Sequence, residues 1–441
     1  MTINRFKSIA IAALVFLAIY LTLQLWLGNI ATRNYLYSAI FSRKASTGSD
    51  ESYLFSMPYR LITNFGSNRF GIDFNGLASS PAVLECEVVL DDILKEGEFV
   101  SASPINYERL FKTPSYIYDY SFDMPVELFA AALGQKPGIL SSHLKQFNSI
   151  IFAPEEHKTR VFFLDESDEA YYEFISYELM LPVKQMTIPL SFESSELSNL
   201  KMFSENVFIA KFPFDSYVYP AIKITNPYMG SDLLMGSMER KIDPFFSNPS
   251  AKLYFIGENN IYTFIDENTV VKYFQNDVLD YANYKSARGS SNIIENFDAA
   301  IQFLRNDQQV INEFYLAEYM VEGKYITFYF DYCINNLPII LPDEYKRVGA
   351  ATLKHAIEIT LADESVSHYR KLAYNFLEDT ATKNASLGFE DALRSAAGDQ
   401  VDALAGLFSS IDIGYKIDMS KQAYLYWIFK TDRGSLSQKA W

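Results

Sequence analysis

The strongest pattern of hydrophobic and polar positions is an uninterrupted apolar segment near the N-terminus. Residues 8–27 read SIAIAALVFLAIYLTLQLWL and contain no charged side chain. A helix of about 20 residues spans about 30 Å, which is the hydrocarbon thickness of a bilayer. Tyr20 and Trp26 suit the far interface, where aromatic side chains concentrate. The pattern therefore predicts a single transmembrane helix.

The charges that flank this segment do not decide its orientation. Arg5 and Lys7 precede it, while Arg33, Arg43 and Lys44 follow it, so the positive-inside rule is balanced. The short N-terminal tail favours a cytoplasmic N-terminus and a large extracellular domain. A cleaved signal peptide is the alternative, but no small-x-small cleavage site follows the apolar core. We expect an uncleaved anchor in the cell membrane.

Changes in composition and hydrophobic pattern along the chain predict five regions. Small polar residues dominate between positions 42 and 52, which is typical of a flexible stalk. The regions are residues 1–28, tail and anchor; 29–52, stalk; 53–240, an N-terminal ectodomain unit; 241–380, a middle α+β unit; and 381–441, a C-terminal α+β unit. A helix followed by strands recurs in the last two units, which suggests that they are alike.

Most of the ectodomain has the alternation typical of strands. Residues 324–334 place Ile326, Phe328 and Phe330 on one face. Further strands are predicted at 59–65, 70–74, 149–152, 160–164, 251–256, 260–264, 270–274, 353–361, 366–372, 411–417 and 423–430. Residues 171–181 fit helix and strand equally. Because βαβ alternation and nucleotide-binding glycine loops are absent, we predict an α+β fold with antiparallel sheets.

Helices are predicted at a few positions between these strands. Residues 293–305 carry apolar side chains at helical spacing. A second helix is expected from Asp123, as its cap, to Gly134 just past its end. A third is expected after Ser386, again as a cap, and a further helical stretch over 401–408.

Composition limits the classes of function. The chain has 38 basic and 54 acidic residues and a net charge of −16, which argues against nucleic acid and against anionic lipid headgroups as partners. The aromatic fraction of 16% suggests β-rich layers. Cys86 and Cys333 match no metal or redox spacing and are expected to be buried thiols, with a disulfide as the alternative.

Motifs for catalysis and phosphate binding are absent from the sequence. GxGxxG, GxxxxGK and GxSxG do not occur. Two SxxK matches begin at Ser142 and Ser198, but the KTG strand that such enzymes need is replaced by Lys430-Thr431-Asp432. We therefore expect no enzyme activity and no cofactor.

The histidines and acid pairs form no recognisable site in sequence. His355 alternates with apolar residues and is expected to be a sheet histidine. His143 and His157 could share a metal only if a loop folded back, so no metal site is predicted. Asp91-Asp92 and Asp165-Glu166 are expected to be solvated surface rather than a glycosidase pair.

Several segments resemble, in order, those of one known family. They are FKSI at 6–9, LW at 25–26, PYRLI at 58–62, NFG at 64–66, FFSNP at 245–249, NTVVKY at 268–273, DVLDYANY at 277–284, YFDY at 329–332, PIIL at 338–341 and AIEIT at 356–360. The chain resembles, over nearly its whole length, the YycH (WalH) family of Gram-positive regulatory proteins.

The resemblance implies a function that composition alone does not. Members of the family regulate the essential WalK (YycG) sensor histidine kinase, which controls cell-wall metabolism, from outside the cytoplasm. They act with a sister protein, YycI, and signal partly through contacts between transmembrane helices. Their ectodomain has three domains, of which the last two are alike. The family supplies no catalytic residues.

The anchor is therefore a candidate contact surface. Ser8 and Ala12 form a small-xxx-small pair, and Thr22 and Gln24 offer polar groups near the outer end. We expect these four residues to contact a partner helix. An extracytoplasmic binding protein for a cell-wall or cationic ligand, with an acidic groove, is the alternative from a different functional class. A wall-processing enzyme is a third.

Overall fold

The structure is a computed structural model that describes most of the chain beyond residue 57. It describes residues 58–66, 69–74, 81–180, 183, 190–193, 217–228, 235–285, 292–307, 313–334, 337–341, 352–398, 408–418, 421–431 and 434–440. The predicted anchor, the stalk and most of the helix predicted over 401–408 lie outside these residues. Within them, no helix is both long and apolar enough to cross a membrane.

The first sheet is built from strands that precede residue 194. They are β1 (Arg60–Asn64), β2 (Arg69–Phe74), β3 (Glu98–Pro104), β4 (Ser115–Pro125), β5 (Gln146–Pro154), β6 (Thr159–Asp165), β7 (Ala170–Ser176) and β8 (Leu190–Glu193). They form an eight-stranded antiparallel sheet in the order β3-β7-β6-β5-β4-β1-β2-β8. Helices α1 (Pro81–Glu96), α2 (Tyr107–Leu110) and α3 (Val126–Ala132) accompany it.

The second sheet is larger and has 14 strands among the described residues. They are β9 (Tyr217–Thr225), β10 (Leu253–Ile256), β11 (Tyr262–Ile265), β12 (Thr269–Tyr273), β13 (Val278–Asn283), β14 (Glu313–Glu322), β15 (Tyr325–Ile334), β16 (Leu337–Ile340), β17 (Ile357–Ala362), β18 (Ser365–Leu372), β19 (Asn375–Ala385), β20 (Phe408–Ile417), β21 (Gln422–Thr431) and β22 (Gly434–Lys439). Their order is β10-β11-β12-β13-β18-β17-β15-β16-β20-β21-β9-β19, with β14 paired to β15 and β22 to β21.

Three helices accompany the second sheet: α4 (Met235–Lys241), α5 (Ile293–Asn306) and α6 (Phe389–Ala397). Helix α5 begins at Asn292, whose side chain accepts from the backbone N–H groups of Ile294 and Glu295. Its apolar face is buried, and the Phe297 ring meets the Phe328 ring edge-on at 5.1 Å. The helix predicted over 293–305 is thus confirmed, as is the α+β class with its antiparallel sheets.

A short parallel pairing joins the two halves of the second sheet. Strands β16 and β20 pair through Ile339 with Tyr415 and Ile340 with Lys416. Gly414 permits this approach, because a Cβ atom there would lie 2.7 Å from the backbone oxygen of Pro338. Strand β9, which the predicted boundaries assign to the N-terminal unit, pairs with β19 and β21. The predicted domain boundaries themselves stay predictions.

The predicted cap of helix α3 is wrong. Strand β4 continues through Asp123 to Pro125, and Pro125 precedes the helix without a side-chain cap. Pairing of Met124 and Pro125 with β5 keeps this segment extended, so the Asp123 carboxylate accepts from Ser167 Oγ at 2.8 Å instead. Gly134 does follow the helix, with a φ of +69° that a side chain would strain.

The predicted cap of helix α6 is wrong as well, although the helix is confirmed. Gly388 precedes it without a side-chain bond. The backbone N–H groups of Ser386 and Leu387 donate to the Ala440 oxygen at 2.9 and 3.0 Å. Ser386 is therefore held by the C-terminal strand rather than by the helix. Of residues 171–181, for which the sequence left helix and strand open, 171–176 belong to strand β7.

His355 is not a sheet histidine, which corrects a further prediction. Strand β17 begins only at Ile357, because the Asp331 carboxylate accepts the Ala356 N–H at 3.0 Å and holds the preceding residues in a bend. The His355 ring bonds Asp331 at 2.8 Å through Nδ1 and approaches Glu318 at 3.4 Å through Nε2. Burial alone would lower the pKa of His355, but the hydrogen bonds that the ring makes to these two carboxylates, together with their charges, outweigh burial and raise the pKa.

Candidate functional site

The residues predicted to contact a partner helix cannot be placed by the structure. Ser8, Ala12, Thr22 and Gln24 all lie outside the described residues. Their role as helix contacts stays a prediction.

Side chains that the sequence offered for chemistry serve local structure. The His143 ring stacks on Phe99 at 3.6 Å, and the Asp92 carboxylate accepts from Ser176 at 2.5 Å. Cys86 and Cys333 are free and buried, as predicted. Across the described ranges, no group of three or more His, Cys, Asp and Glu side chains could hold a metal.

Arg60, the first residue of β1, joins the two sheets. Its Nε donates to Asp119 directly opposite on β4, and its Nη1 donates to Asp412 on β20 at 3.1 Å. The side chain of Arg60 is 7% exposed and that of Asp412 is 1% exposed. Charges removed from water this completely are stable only when paired. The pair therefore ties strand β1 of the first sheet to strand β20 of the second.

Asp412 accepts hydrogen bonds from three side chains at this junction, more than Asp119 does. Besides Arg60, the donors are Lys430 at 2.9 Å and Ser410 at 3.0 Å. Burial alone would raise the pKa of Asp412, but Lys430 and Arg60 outweigh burial and lower it. At Asp119 burial wins over the attraction of Arg60 and raises the pKa. The junction thus contains one firmly ionised carboxylate and one that is poorly solvated.

A cleft of about 280 Å³ opens beside this ion pair. The register of β4 against β5 shifts between Asp119 and Met124, so residues 120–123 bulge opposite Asn148. A bulge of this kind re-aims side chains and interrupts strand pairing. The cleft is lined by Arg60 and Asp119 together with Tyr107, Phe122, Glu166 and Lys430, among others.

The bulge also contacts strand β14 of the second sheet. Ser121 Oγ donates to the Ala317 oxygen at 3.2 Å. The Phe122 and Tyr319 rings meet edge-on at 6.0 Å. Together with the Arg60–Asp412 pair, these contacts place the cleft between the two sheets.

A second buried junction connects the two halves of the large sheet. Asp277 accepts from Asn226 at 2.5 Å, from Tyr374 at 3.0 Å and from Lys421 at 2.7 Å. Asn226 follows β9 and Lys421 precedes β21, whereas Asp277 precedes β13. The φ of Asp277, +63°, is that of a tight turn. This turn directs the Asp277 carboxylate toward these donors.

The edge strand β10 is the most exposed apolar element described. Leu253, Tyr254, Phe255 and Ile256 are 71%, 51%, 54% and 53% exposed. Strand β10 pairs only with β11 among the described strands, so its outer backbone groups face away from the sheet. Natural edge strands usually carry charges or prolines that block further pairing, and β10 carries neither.

The sequence predicted neither the Arg60–Asp412 pair nor the exposure of strand β10. PYRLI at 58–62 marked the strand that holds Arg60, but no local pattern links it to Asp412. The edge was predicted as a strand, and the signal for its exposure was four consecutive apolar residues without alternation.

No family model matches the chain, and no curated protein matches it. The crystal structure of YycH from Bacillus subtilis matches its fold with a TM-score of 0.58 and 12% sequence identity, over 90% of this chain and 99% of that chain. The structure of an uncharacterized protein from Eubacterium rectale is less similar, with a TM-score of 0.32 and 13% identity over 53% of this chain and 86% of that chain. The resemblance seen in the sequence is thus matched in three dimensions: this chain has the fold of YycH from Bacillus subtilis.

Proposed function

We propose that this chain is a membrane-anchored, non-catalytic regulator of a two-component sensor histidine kinase that controls cell-wall metabolism. The observation that supports this most is the fold match with YycH, which extends over 90% of one chain and 99% of the other. The expected partners are a kinase like WalK (YycG), a sister protein like YycI, and the membrane itself.

The anchor is the proposed working surface within the membrane. In lipid, helices associate by close packing of small residues and by hydrogen bonds between polar side chains. The Ser8–Ala12 pair permits close packing, and Thr22 and Gln24 offer hydrogen-bonding groups. Binding biases the kinase only if the anchor has different affinities for its active and inactive states.

The ectodomain contact is proposed at strand β10. Its outer edge, which pairs with no described strand, suits an extended segment of the kinase's extracytoplasmic part, which would add a strand to the sheet. The four exposed apolar side chains on both faces of β10 would bury apolar area in such a contact.

The two contact surfaces are joined through Arg60. The chain passes from the predicted stalk into β1, whose first residue bridges both sheets. A displacement of the second sheet is therefore expected to reach the stalk through this buried pair.

Two exchanges test the proposal, with phosphorylation of the kinase's response regulator in cells as the readout. A chain reduced to residues 1–45 should keep part of the regulation, because the anchor contact remains. The full ectodomain on an unrelated apolar helix should lose most of it. If the helix swap were harmless and residues 1–45 were inert, the anchor would not be the working surface.

A further inference from the structure

We propose that the cleft beside Arg60 binds a small organic cation through a primary ammonium group. The inference does not depend on the regulatory function, because it rests only on what lines the cleft.

The charges on the cleft wall favour a cation. Three carboxylates line it, those of Asp119, Glu166 and Asp412, against the two cations Arg60 and Lys430. Both cations are already engaged: Arg60 pairs with Asp119 and Asp412, and Lys430 pairs with Asp412. An anionic ligand would therefore meet an excess of negative charge, whereas a single ammonium would balance it.

Hydrogen-bond acceptors are also in excess. Asn148 Oδ1 is screened from solvent and has no partner among the described residues. Asp119 accepts from Arg60 through Oδ2, which leaves Oδ1 as an acceptor on the cleft wall. The Glu166 carboxylate accepts from Tyr107 at 2.6 Å. An ammonium group carries three donors and no acceptor, which matches this set.

The aromatic rings and the volume of the cleft narrow the class of ligand further. Tyr107, Phe111 and Phe122 line the cleft, and the faces of such rings attract cations. The volume of about 280 Å³ lies just below the range for drug-sized ligand pockets, about 300–1,000 Å³. The cleft therefore suits a short alkylamine or an amino side chain rather than a large ligand.

The position of the cleft gives binding a structural consequence. The lining combines Asp119, Asn148 and Glu166 from the first sheet and its loops with Ser410 and Lys430 from the second. A bound cation would add attraction between the two sheets at the point where Arg60 already joins them. Binding should therefore stabilise the folded chain.

The test is thermal unfolding of the full chain in detergent with n-butylammonium chloride as the probe. The midpoint temperature should rise and saturate with probe concentration, as expected for binding to the folded state only. 1-Butanol, sodium butyrate and potassium chloride at matched concentration and ionic strength should not reproduce the rise. If potassium chloride reproduced it, general screening of an acidic protein would explain the effect and the site would be rejected.

Two variants and a control localise the effect. Glu166→Gln changes an exposed residue on the cleft and should weaken n-butylammonium binding about threefold or more. Glu156→Gln removes the same charge from an exposed position that is not part of the lining, and it should bind as the unmodified chain does. Asn148→Leu should also weaken binding, because it removes the unpaired acceptor. Equal affinities in the unmodified chain, Glu166→Gln and Asn148→Leu would overturn the proposal.

Discussion

At the scale of single residues, the guanidinium of Arg60 bridges carboxylates from distant parts of the chain. Arg60 and Asp412 are 352 residues apart in sequence and 3.1 Å apart in space. A buried ion pair gives little net stability over an apolar replacement of both partners, but removal of one partner leaves a charge without compensation. The pair thus acts mainly by fixing one arrangement of the two sheets.

Replacement of Arg60 by Met should strongly destabilise the folded chain. Asp412 would keep Lys430, but both it and Asp119 would lose their buried partner, at a cost of about 3–5 kcal/mol. Urea unfolding of the purified chain, followed by tyrosine fluorescence, measures the change. Arg109→Met alters an exposed arginine on α2 and should shift the unfolding free energy by about 0.5 kcal/mol or less. Equal stabilities of the two variants would show that the junction contributes nothing.

Glu87 on helix α1 should give the stability of the folded chain a measurable dependence on pH. Burial raises the pKa of Glu87 from 4.5 to about 7. Between these values the folded chain holds a proton that the unfolded chain has released, so stability falls as pH rises through this window. Glu87→Gln should remove this part of the slope and stabilise the chain above pH 7 by on the order of 2 kcal/mol.

The control for this prediction is Glu96→Gln, which alters an exposed carboxylate at the end of the same helix. Unfolding midpoints measured from pH 4 to pH 8 should keep their slope in this variant. A Glu87→Gln variant with an unchanged slope would mean that Glu87 is solvated in the folded chain.

At the scale of elements, the two edges of the large sheet differ in chemistry. Strand β19, at one end, has a bulged register and mostly exposed polar side chains toward its C-terminal half. Strand β10, at the other end, is short, uncharged and apolar on both faces. The first edge is protected against further pairing, and the second is suited to it.

A charge on β10 should therefore block a partner without unfolding the chain. Phe255→Lys alters a side chain that is 54% exposed, so the expected loss of stability is within about 1 kcal/mol. The same change at Leu377, an exposed apolar residue on β19, is the matched control. Recovery of the proposed kinase partner with the full chain should fall for Phe255→Lys and persist for Leu377→Lys. Equal recovery would exclude β10 as the contact.

Elements with local signals were predictable from the sequence. Helix α5 and strands β15 and β21 follow directly from the spacing of their apolar residues. The turn at Asp363 and Glu364, where both residues have positive φ, connects strands in the predicted place. Helix α1 was not predicted, although Val83, Cys86 and Leu90 have helical spacing.

Features that depend on distant contacts were not predictable. The residues next to Asp123 have the pattern of a helix cap. The pairing of Met124 with Phe147 on β5, which that local pattern does not show, keeps the segment extended instead. His355 alternates with apolar residues, yet Asp331 determines where it lies. The junction cleft arises from a bulge opposite Asn148, which no residue pattern in β4 or β5 reveals.

At the scale of the whole molecule, two buried junctions connect distant parts of the described chain. Arg60 ties the first sheet to β20, and Asp277 ties the middle strands to β9 and β21. With the parallel pairing of β16 and β20, the two halves of the large sheet are held at more than one point rather than by one linker. If a partner binds at β10 as proposed, these connections provide a path from that contact toward the predicted stalk.

The central claim is that this chain binds and regulates a membrane sensor kinase. Co-purification of the full chain from detergent-solubilised membranes of its own cells, with the recovered proteins identified by mass spectrometry, tests it most directly. We expect a sensor histidine kinase with two transmembrane helices to be recovered, and to be reduced when the anchor is replaced by an unrelated apolar helix. Absence of any such kinase, with normal kinase signalling after the anchor swap, would contradict the account.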